Sequence, residues 1–397
     1  MKVIVIGAGA SGIIAALKAS ENNEVVLLER NDKIGKKLQI TGNGKCNYWN
    51  DEININNYYT DNYDTLSQIL NSKDETFTYL LSLGIYPRKK NNLYYPYSNS
   101  ANSIITILKK QLELKKVKII YNAKVLDIIH QENFMVVTED QTYYSDAVIV
   151  ACGAKSYPKT GSDGSILDSL TKFNFKINPF KPALTALKVD KKYIKDLEGL
   201  RIDAKTTLLI NDKQEASEVG ELQFNENNVS GICIFNLSNI VSKNPNCEAE
   251  LLIDFLYDID SLDNWFNNQI KIMHIDQIGL ILESLLNYKL LNKLLKECNL
   301  TYEESYQSLS EIKKKQLFNF LKNFHLVIDG TNDFETSQVS SGGISLNEIN
   351  PLTMETYKVK NLYIIGELLD VNGNCGGFNL AFAWMSGFIV GSNVNYL

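Results

Sequence analysis

Residues 2–19 read "KVIVIGAGASGIIAALKA", and their order decides the fold. A β-branched run from Val3 to Ile6 gives way to Gly7, Gly9 and Gly12, and apolar residues at helical spacing follow. The pattern spells a strand, a tight turn and a helix. Glycines in such a turn let the backbone approach a pyrophosphate, whose negative charge the helix start favours. The next apolar run, "NEVVLLER" at 23–30, ends in Glu29. That is close to the spacing of about 20 residues at which an acid reaches the ribose hydroxyls of an adenine nucleotide. The same acid repels a 2′-phosphate, so NADP is disfavoured here, and NAD and FAD remain. Glycines also serve plain turns and packing; the strand, helix and acid around them are what point to a dinucleotide.

Residues 35–50, "GKKLQITGNGKCNYWN", decide between the two. An NAD site needs no glycine-rich basic loop after the second strand. FAD is longer, and more backbone must close around it. Gly42 and Gly44 permit close approach, while Lys36, Lys37 or Lys45 can offset phosphate charge. A lysine-rich surface loop is the commoner meaning of such a stretch alone; its place just after the ribose acid assigns it to the cofactor. A third element, residues 361–387, has an apolar strand ending in Gly366-Glu367, then Asp370, then Gly376-Gly377 opening an apolar helix. A helix start aimed at a flavin ring can stabilise negative charge on it.

The rest of the chain sets bounds. It has 397 residues, 44% of them apolar, and a net charge of −6. Arginine occurs only at 30, 88 and 201. No basic patch interleaved with aromatics stands out, so nucleic acid is not favoured as a partner. The opening residues lack the features of a secretory leader. The apolar stretch 377–394 is short for a membrane span and reads as a buried helix. Cysteines at 46, 152, 233, 247, 298 and 375 form no C-x-x-C pair, and His130, His274 and His325 stand alone. A disulfide framework and a metal site are therefore not expected, and the cytoplasm is. Helical patterns at 63–84 and 101–116 precede a series of strands at 117–154, the last fully apolar and closed by Gly153. This is the order of a doubly wound α/β domain with a small antiparallel meander. Residues 182–256 read as short alternating strands of a barrel or sandwich, and 258–325 as helix, with a core-type leucine stripe at 278–297. Glycine-punctuated segments return from 336. The division expected is a discontinuous domain, 1–181 with 328–397, around an insert at 182–327.

Taken together, "GAGASG", "LLER", "GKKLQITGNGKCN", "ACGAKSYPKTGSDG", "GELQF", "VSSGGISLNEINPLTME" and "LYIIGELLDVNGNCGGFNLAFAWMSG" resemble the HI0933/YhiN-like family of bacterial FAD-binding oxidoreductases, some labelled BaiN-like or aminoacetone-oxidase-family. The resemblance runs in order over essentially the whole chain. It implies a Rossmann-like FAD domain interrupted by a small β-barrel and helices, with FAD held non-covalently. It implies Gly7, Gly9, Ala10, Ser11 and Gly12 at the pyrophosphate and Glu29 at the ribose. Lys37, Leu38, Gly44, Cys46 and Asn47 would follow the phosphates and flavin, and Val125 the adenine. Glu367, Asp370, Gly377, Phe378, Asn379 and Leu380 would lie by the ribityl chain and ring, with Arg30, Gly153 and Gly366 completing the cofactor-binding set. Lys36 and Lys45 stand where the family usually has arginine, Trp49 replaces a small polar residue, and Asn374-Cys375 replaces a Pro-Thr-like pair.

The activity implied is hydride transfer between NAD(P)H and a small organic molecule, such as a conjugated enone, through the flavin. No second G-x-G-x-x-G domain is present, so the pyridine nucleotide would visit transiently. No catalytic acid or base is identified: Tyr157 is a candidate proton donor, but packing is the commoner role of a tyrosine. A Cys46–Cys375 dithiol is likewise less common than two small buried thiols. A flavin module without turnover and an RNA-associated flavoprotein are the alternatives, and oligomeric state is not legible.

Overall fold

The run Lys2–Ile6 is buried on both faces and sits in the middle of a five-stranded sheet. In spatial order the strands are Leu362–Ile364, Ala147–Val150, Lys2–Ile6, Glu24–Leu28 and Lys118–Ile120, all parallel. Val3 pairs with Val25 on one side and Ala147 on the other. Parallel strands need covered faces, which is why these runs are apolar throughout rather than alternating. The computed structural model describes residues 1–394, and residues 395–397 lie outside the described residues. The chain forms two units: Met1–Ala183 with the segment from Phe334 onward, and Leu184–Asp333.

In the first unit, helix Ala10–Ala19 lies against the C-terminal helix Phe378–Asn393. Contact is backbone to backbone. A Cβ on Gly387 would overlap the Ser11 carbonyl oxygen, and one on Gly391 would come within 2.9 Å of the Ala15 carbonyl oxygen. This four-residue glycine spacing explains a helix that the sequence shows only as generally apolar. No helix among the described residues is long and apolar enough to cross a membrane. Strands Val125–His130, Phe134–Thr138 and Thr142–Ser145 form the antiparallel meander. A second small sheet joins Trp49–Asn50, Leu93–Pro96 and Pro87–Lys90.

The second unit is a closed six-stranded barrel with helices beside it. Strands Arg201–Ile210 and Lys213–Phe224 pair over their whole length through the turn at Asn211-Asp212. The last barrel strand is Phe324–Thr331, so a boundary at 327/328 falls inside a strand that the barrel needs for closure. Two helical details also differ from the sequence reading. The leucine stripe is two helices, Ile278–Glu283 and Tyr288–Glu297, because the Asn287 side chain accepts the Lys289 N–H and caps a new start. Helix Ile232–Lys243 was passed over among the strands; it opens at Gly231, where a Cβ would overlap the Glu221 carbonyl oxygen.

The helix contact yields a prediction. Gly387→Ala inserts a methyl into backbone with nowhere to move, and should cost about 1–3 kcal/mol in urea unfolding. An unchanged midpoint would contradict the packing described.

Candidate functional site

Four sequence elements that are far apart in the chain end at one edge of the sheet. Gly7 and Gly9 follow the carboxyl end of Lys2–Ile6, and Glu29 and Arg30 follow Glu24–Leu28. Gly153 follows Ala147–Val150, and Gly366 and Glu367 follow Leu362–Ile364. These strands are neighbours. Ligands of open parallel sheets bind in the crevice outside such carboxyl ends.

The three glycines of the turn do different work. Gly7 sits at φ +100°, and a Cβ there would come 2.5 Å from the Ala151 carbonyl oxygen. A Cβ on Gly12 would overlap the Gly7 carbonyl oxygen. Both are explained by the protein's own packing. Gly9 is not: its φ is −84°, open to any residue, and a Cβ would meet nothing within 4 Å. A side chain there would point into open space. The first intrahelical bond runs from Ile13 N–H to the Gly9 carbonyl, so the amides of Ala10, Ser11 and Gly12 are the orphan donors of a helix start. A cleared cradle with amides at its edge fits a diphosphate.

Glu29 is buried, 7% exposed. Its Oε2 accepts the Ala8 N–H at 2.8 Å, and its Oε1 accepts the Asn31 N–H at 2.8 Å and the Asn31 side-chain amide at 2.7 Å. A carboxylate takes about four hydrogen bonds, so acceptor capacity remains for a ribose hydroxyl. The chain approaching Val125 runs alongside, with Ala123 N–H on the Glu29 carbonyl at 2.9 Å and Asn122 N–H on that of Asn31 at 3.0 Å. Val125 itself is buried.

The lysines do not stand free. Lys36 pairs with Asp32 at 3.0 Å and donates to Asn31 Oδ1 at 3.1 Å. Lys37 donates to Ser156 Oγ and Glu367 Oε2, both at 2.5 Å. Glu367 Oε1 in turn accepts Ser156 Oγ at 2.6 Å and the Ser340 N–H at 2.8 Å. Lys45 alone of the three is exposed without such an anchor. A phosphate bound at this turn would meet mainly backbone amides. Arg30 is also engaged, with Asp163 at 2.7 Å and the Gly161 carbonyl at 3.0 Å.

The stretch 36–47 is less of a loop than its glycines suggest. Lys36–Ile40 is a short helix that sends Leu38 into the core. Gly44 closes a turn onto Thr41, and its carbonyl accepts the Ala101 N–H at 2.8 Å. Cys46 is fully buried, and burial raises its thiol to about 11. The Asn47 side chain faces the Trp49 and Tyr94 carbonyls, so its amide nitrogen is assigned to that side, where it donates to both at 3.2 Å. At the other end of the chain, Gly377 at φ +92° starts the C-terminal helix, and a Cβ there would come 2.8 Å from the Trp49 carbonyl oxygen. Asn379 holds the approach, its Oδ1 accepting the Gly373 N–H at 2.7 Å and its Nδ2 donating back to the Gly373 carbonyl at 2.9 Å. Phe378 packs edge-on to Tyr58, and Leu380 is partly buried against the core. Asp370 accepts Asn178 Nδ2 at 2.7 Å and the Gly342 N–H at 3.0 Å. Gly366 lies against Ser11, where a Cβ would come 2.5 Å from Oγ. Cys375 is raised to about 11 by burial as well, so both thiols of the dithiol idea stay protonated at neutral pH.

Two features were missed in the sequence. Ser162 Oγ is buried without a hydrogen-bond partner, 2.6 Å from where a Gly153 Cβ would sit. The hairpin 86–97 is the other. Its edge strand Pro87–Lys90 is exposed from Arg88 to Lys90. Arg88 stacks on Tyr97 at 4.4 Å, and Tyr86 meets the same ring at 5.5 Å. Basic and aromatic side chains at alternate hairpin positions converge only once the register is known.

The family model described as the HI0933-like protein Rossmann domain matches residues 1–393. The chain belongs to that family, a family of flavoprotein oxidoreductases with a Rossmann-type FAD-binding fold. It is 32% identical to the 3-dehydro-bile acid delta(4,6)-reductase of Clostridium scindens, over 98% of each chain. It is 26% identical to the ribosomal RNA dihydrouridine synthase of Haemophilus influenzae, over 97% of this chain and 96% of the relative. Among solved structures it is similar to the 3-ketosteroid-delta4-(5alpha)-dehydrogenase of Rhodococcus jostii, with a TM-score of 0.52, 12% identity and coverage of 99% and 96%. A flavocytochrome c3 fumarate reductase gives a TM-score of 0.52 at 13% identity, covering 99% of this chain and 78% of the other. At those identities the structural likeness concerns the fold.

The empty space at Gly9 can be tested directly. Gly9→Ala should leave the melting temperature of the flavin-free protein within about a degree, because the methyl meets no protein atom, yet weaken FAD at least about tenfold by standing where the diphosphate belongs. Equal FAD affinity in the variant would remove the assignment.

Proposed function

We propose that the protein is an FAD-dependent reductase that adds hydrogen across a carbon–carbon double bond conjugated to a carbonyl, with NADH or NADPH as a transient electron donor. The observation that carries the cofactor part is the cleared space beside Gly9 at a helix start. The reaction class rests on the relatives. A delta(4,6)-reductase of a 3-dehydro-bile acid and a dihydrouridine synthase share one outcome, reduction of a ring double bond.

In this reading bound FAD supplies the hydride chemistry. The amides of Ala10 to Gly12 hold the diphosphate, Glu29 holds the adenosine ribose, and Val125 borders the adenine. Lys37, Ser156 and Glu367 form a self-neutral cluster that fixes the ribityl side without leaving a bare charge near it. The start of the helix Phe378–Asn393 would favour negative charge on a ring held beside it. Cys46 and Cys375 take no part, since both remain thiols. A cytoplasmic location agrees with the six free cysteines.

Anaerobic mixing of the holoprotein with NADH or NADPH should bleach the flavin, and a 3-keto-4-ene steroid should restore its absorbance as the enone band is lost. No bleaching with either nucleotide, or no reoxidation by any conjugated enone, overturns this function.

A second reading, reduction of uridine within RNA, is favoured by the hairpin 86–97, where exposed Tyr86 and Tyr97 (73% and 56%) flank Arg88 and Lys90. Stacking on aromatics beside cations suits single-stranded RNA. If RNA is the substrate, Arg88→Glu with Lys90→Glu should abolish salt-sensitive RNA binding while flavin reduction by NAD(P)H proceeds at the original rate. RNA binding that survives the double change excludes this surface.

A further inference from the structure

Residues 153–163 leave the sheet after strand Ala147–Val150 and are next anchored beyond strand Glu24–Leu28. In the sheet the strand Lys2–Ile6 lies between those two. The segment therefore crosses the carboxyl end of the strand that carries the Gly7–Gly9 turn. Its near end is tied down by Ser156, fully buried, in the Lys37–Glu367 cluster. Its far end is fastened by Asn31 Nδ2 on the Thr160 carbonyl at 3.0 Å, Arg30 on the Gly161 carbonyl at 3.0 Å, and Arg30 on Asp163 at 2.7 Å. Between the two ends, Tyr157 takes a left-handed conformation (φ 50°, ψ 59°), costly for a bulky side chain and maintained by its neighbours. Its N–H is held by the Phe334 carbonyl at 2.9 Å and its carbonyl by Thr160 N–H at 2.8 Å.

We propose that residues 153–163 are a strap across the dinucleotide turn, that the Arg30–Asp163 ion pair is its fastening, and that FAD enters and leaves only when that pair opens. The inference rests on FAD occupying this turn. Several observations fit a fastening better than a fixed wall. Asn31, which holds the strap at Thr160, is itself held by Glu29, so clasp and ribose site share one acid. The ion pair lies at the rim, with side chains 30% and 33% exposed, where it can exchange with water. Burial acts to raise the Asp163 carboxyl, but Arg30 and Ser165 outweigh it and hold it at about 2, so the pair stays charged at neutral pH. Ser162 Oγ, in the strap itself beside the fastening, is buried and unpartnered. Arg30, assigned from sequence to the cofactor, thereby acts as a positioning residue.

The test is the rate of FAD release from the holoprotein, followed by the gain of flavin fluorescence after dilution. Asp163→Asn and Arg30→Met should each speed release about fivefold, the upper end for one partly exposed ion pair. The charge-swapped double variant, Arg30→Asp with Asp163→Arg, should return the rate to within about twofold of the original. Raising salt from about 50 mM to about 500 mM should speed release from the unaltered protein and leave the single variants nearly unaffected. Unchanged release in both single variants, or no salt effect on the unaltered protein, refutes the strap. A swapped variant as fast as the singles would mean that charge pairing between these two positions is not what holds the strap, which also overturns the fastening. Failure to take up any flavin is a different result and removes the flavin reading itself.

Discussion

The start of the first helix has no room for a methyl group on three of its sides. Gly12 lies on the Gly7 carbonyl, Gly387 on the Ser11 carbonyl, and Gly366 on the Ser11 hydroxyl. The helix, the neighbouring strand ends and the C-terminal helix are thus brought to backbone contact at one point. On the remaining side, at Gly9, nothing approaches. Crowding on three sides and clearance on the fourth leave the helix-start amides facing open space. A diphosphate there would replace water on those amides without displacing any protein atom.

Charge is arranged to match. Of the lysines that sequence reasoning offered to the phosphates, Lys36 is already paired with Asp32 and Lys37 with Glu367, and Arg30, placed in the cofactor-binding set, is paired with Asp163. Fixed amide dipoles cost nothing to reorganise when a diphosphate arrives, whereas free lysines would lose side-chain entropy. The paired cations instead tie together segments remote in sequence. Lys37 and Glu367 join the first and last parts of the unit, and Arg30 joins the end of strand Glu24–Leu28 to the segment after Ala147–Val150.

Much of this was legible in the sequence because the elements are locally coded. A β-branched run, spaced glycines and a terminal acid announce a dinucleotide turn without help from the rest of the chain. The barrel was legible as alternation, and the discontinuous first domain as a return of glycine-punctuated segments. What was not legible depends on register or on long-range pairing. Nothing near residue 30 says that its guanidinium will meet Asp163. The Gly387–Gly391 seam reads as two small residues in an apolar helix until the partner backbone is known. Asn287 looks like one more polar residue in a leucine stripe until its side chain caps a helix. Gly231 hid a helix start among strands, and the cations and tyrosines of 86–97 merge into one surface only after the hairpin folds.

The residues proposed for the adenosine half are the turn at Gly9, the carboxylate of Glu29 beside it and the chain leading to Val125. A titration of flavin-free protein with FAD, FMN and riboflavin in parallel, read by quenching of flavin fluorescence, tests this most directly. The account predicts one FAD per chain at saturation and at least about a hundredfold weaker binding of FMN and riboflavin, which lack the ADP half that the turn grips. FMN binding as tightly as FAD, or no saturable FAD binding, would contradict it.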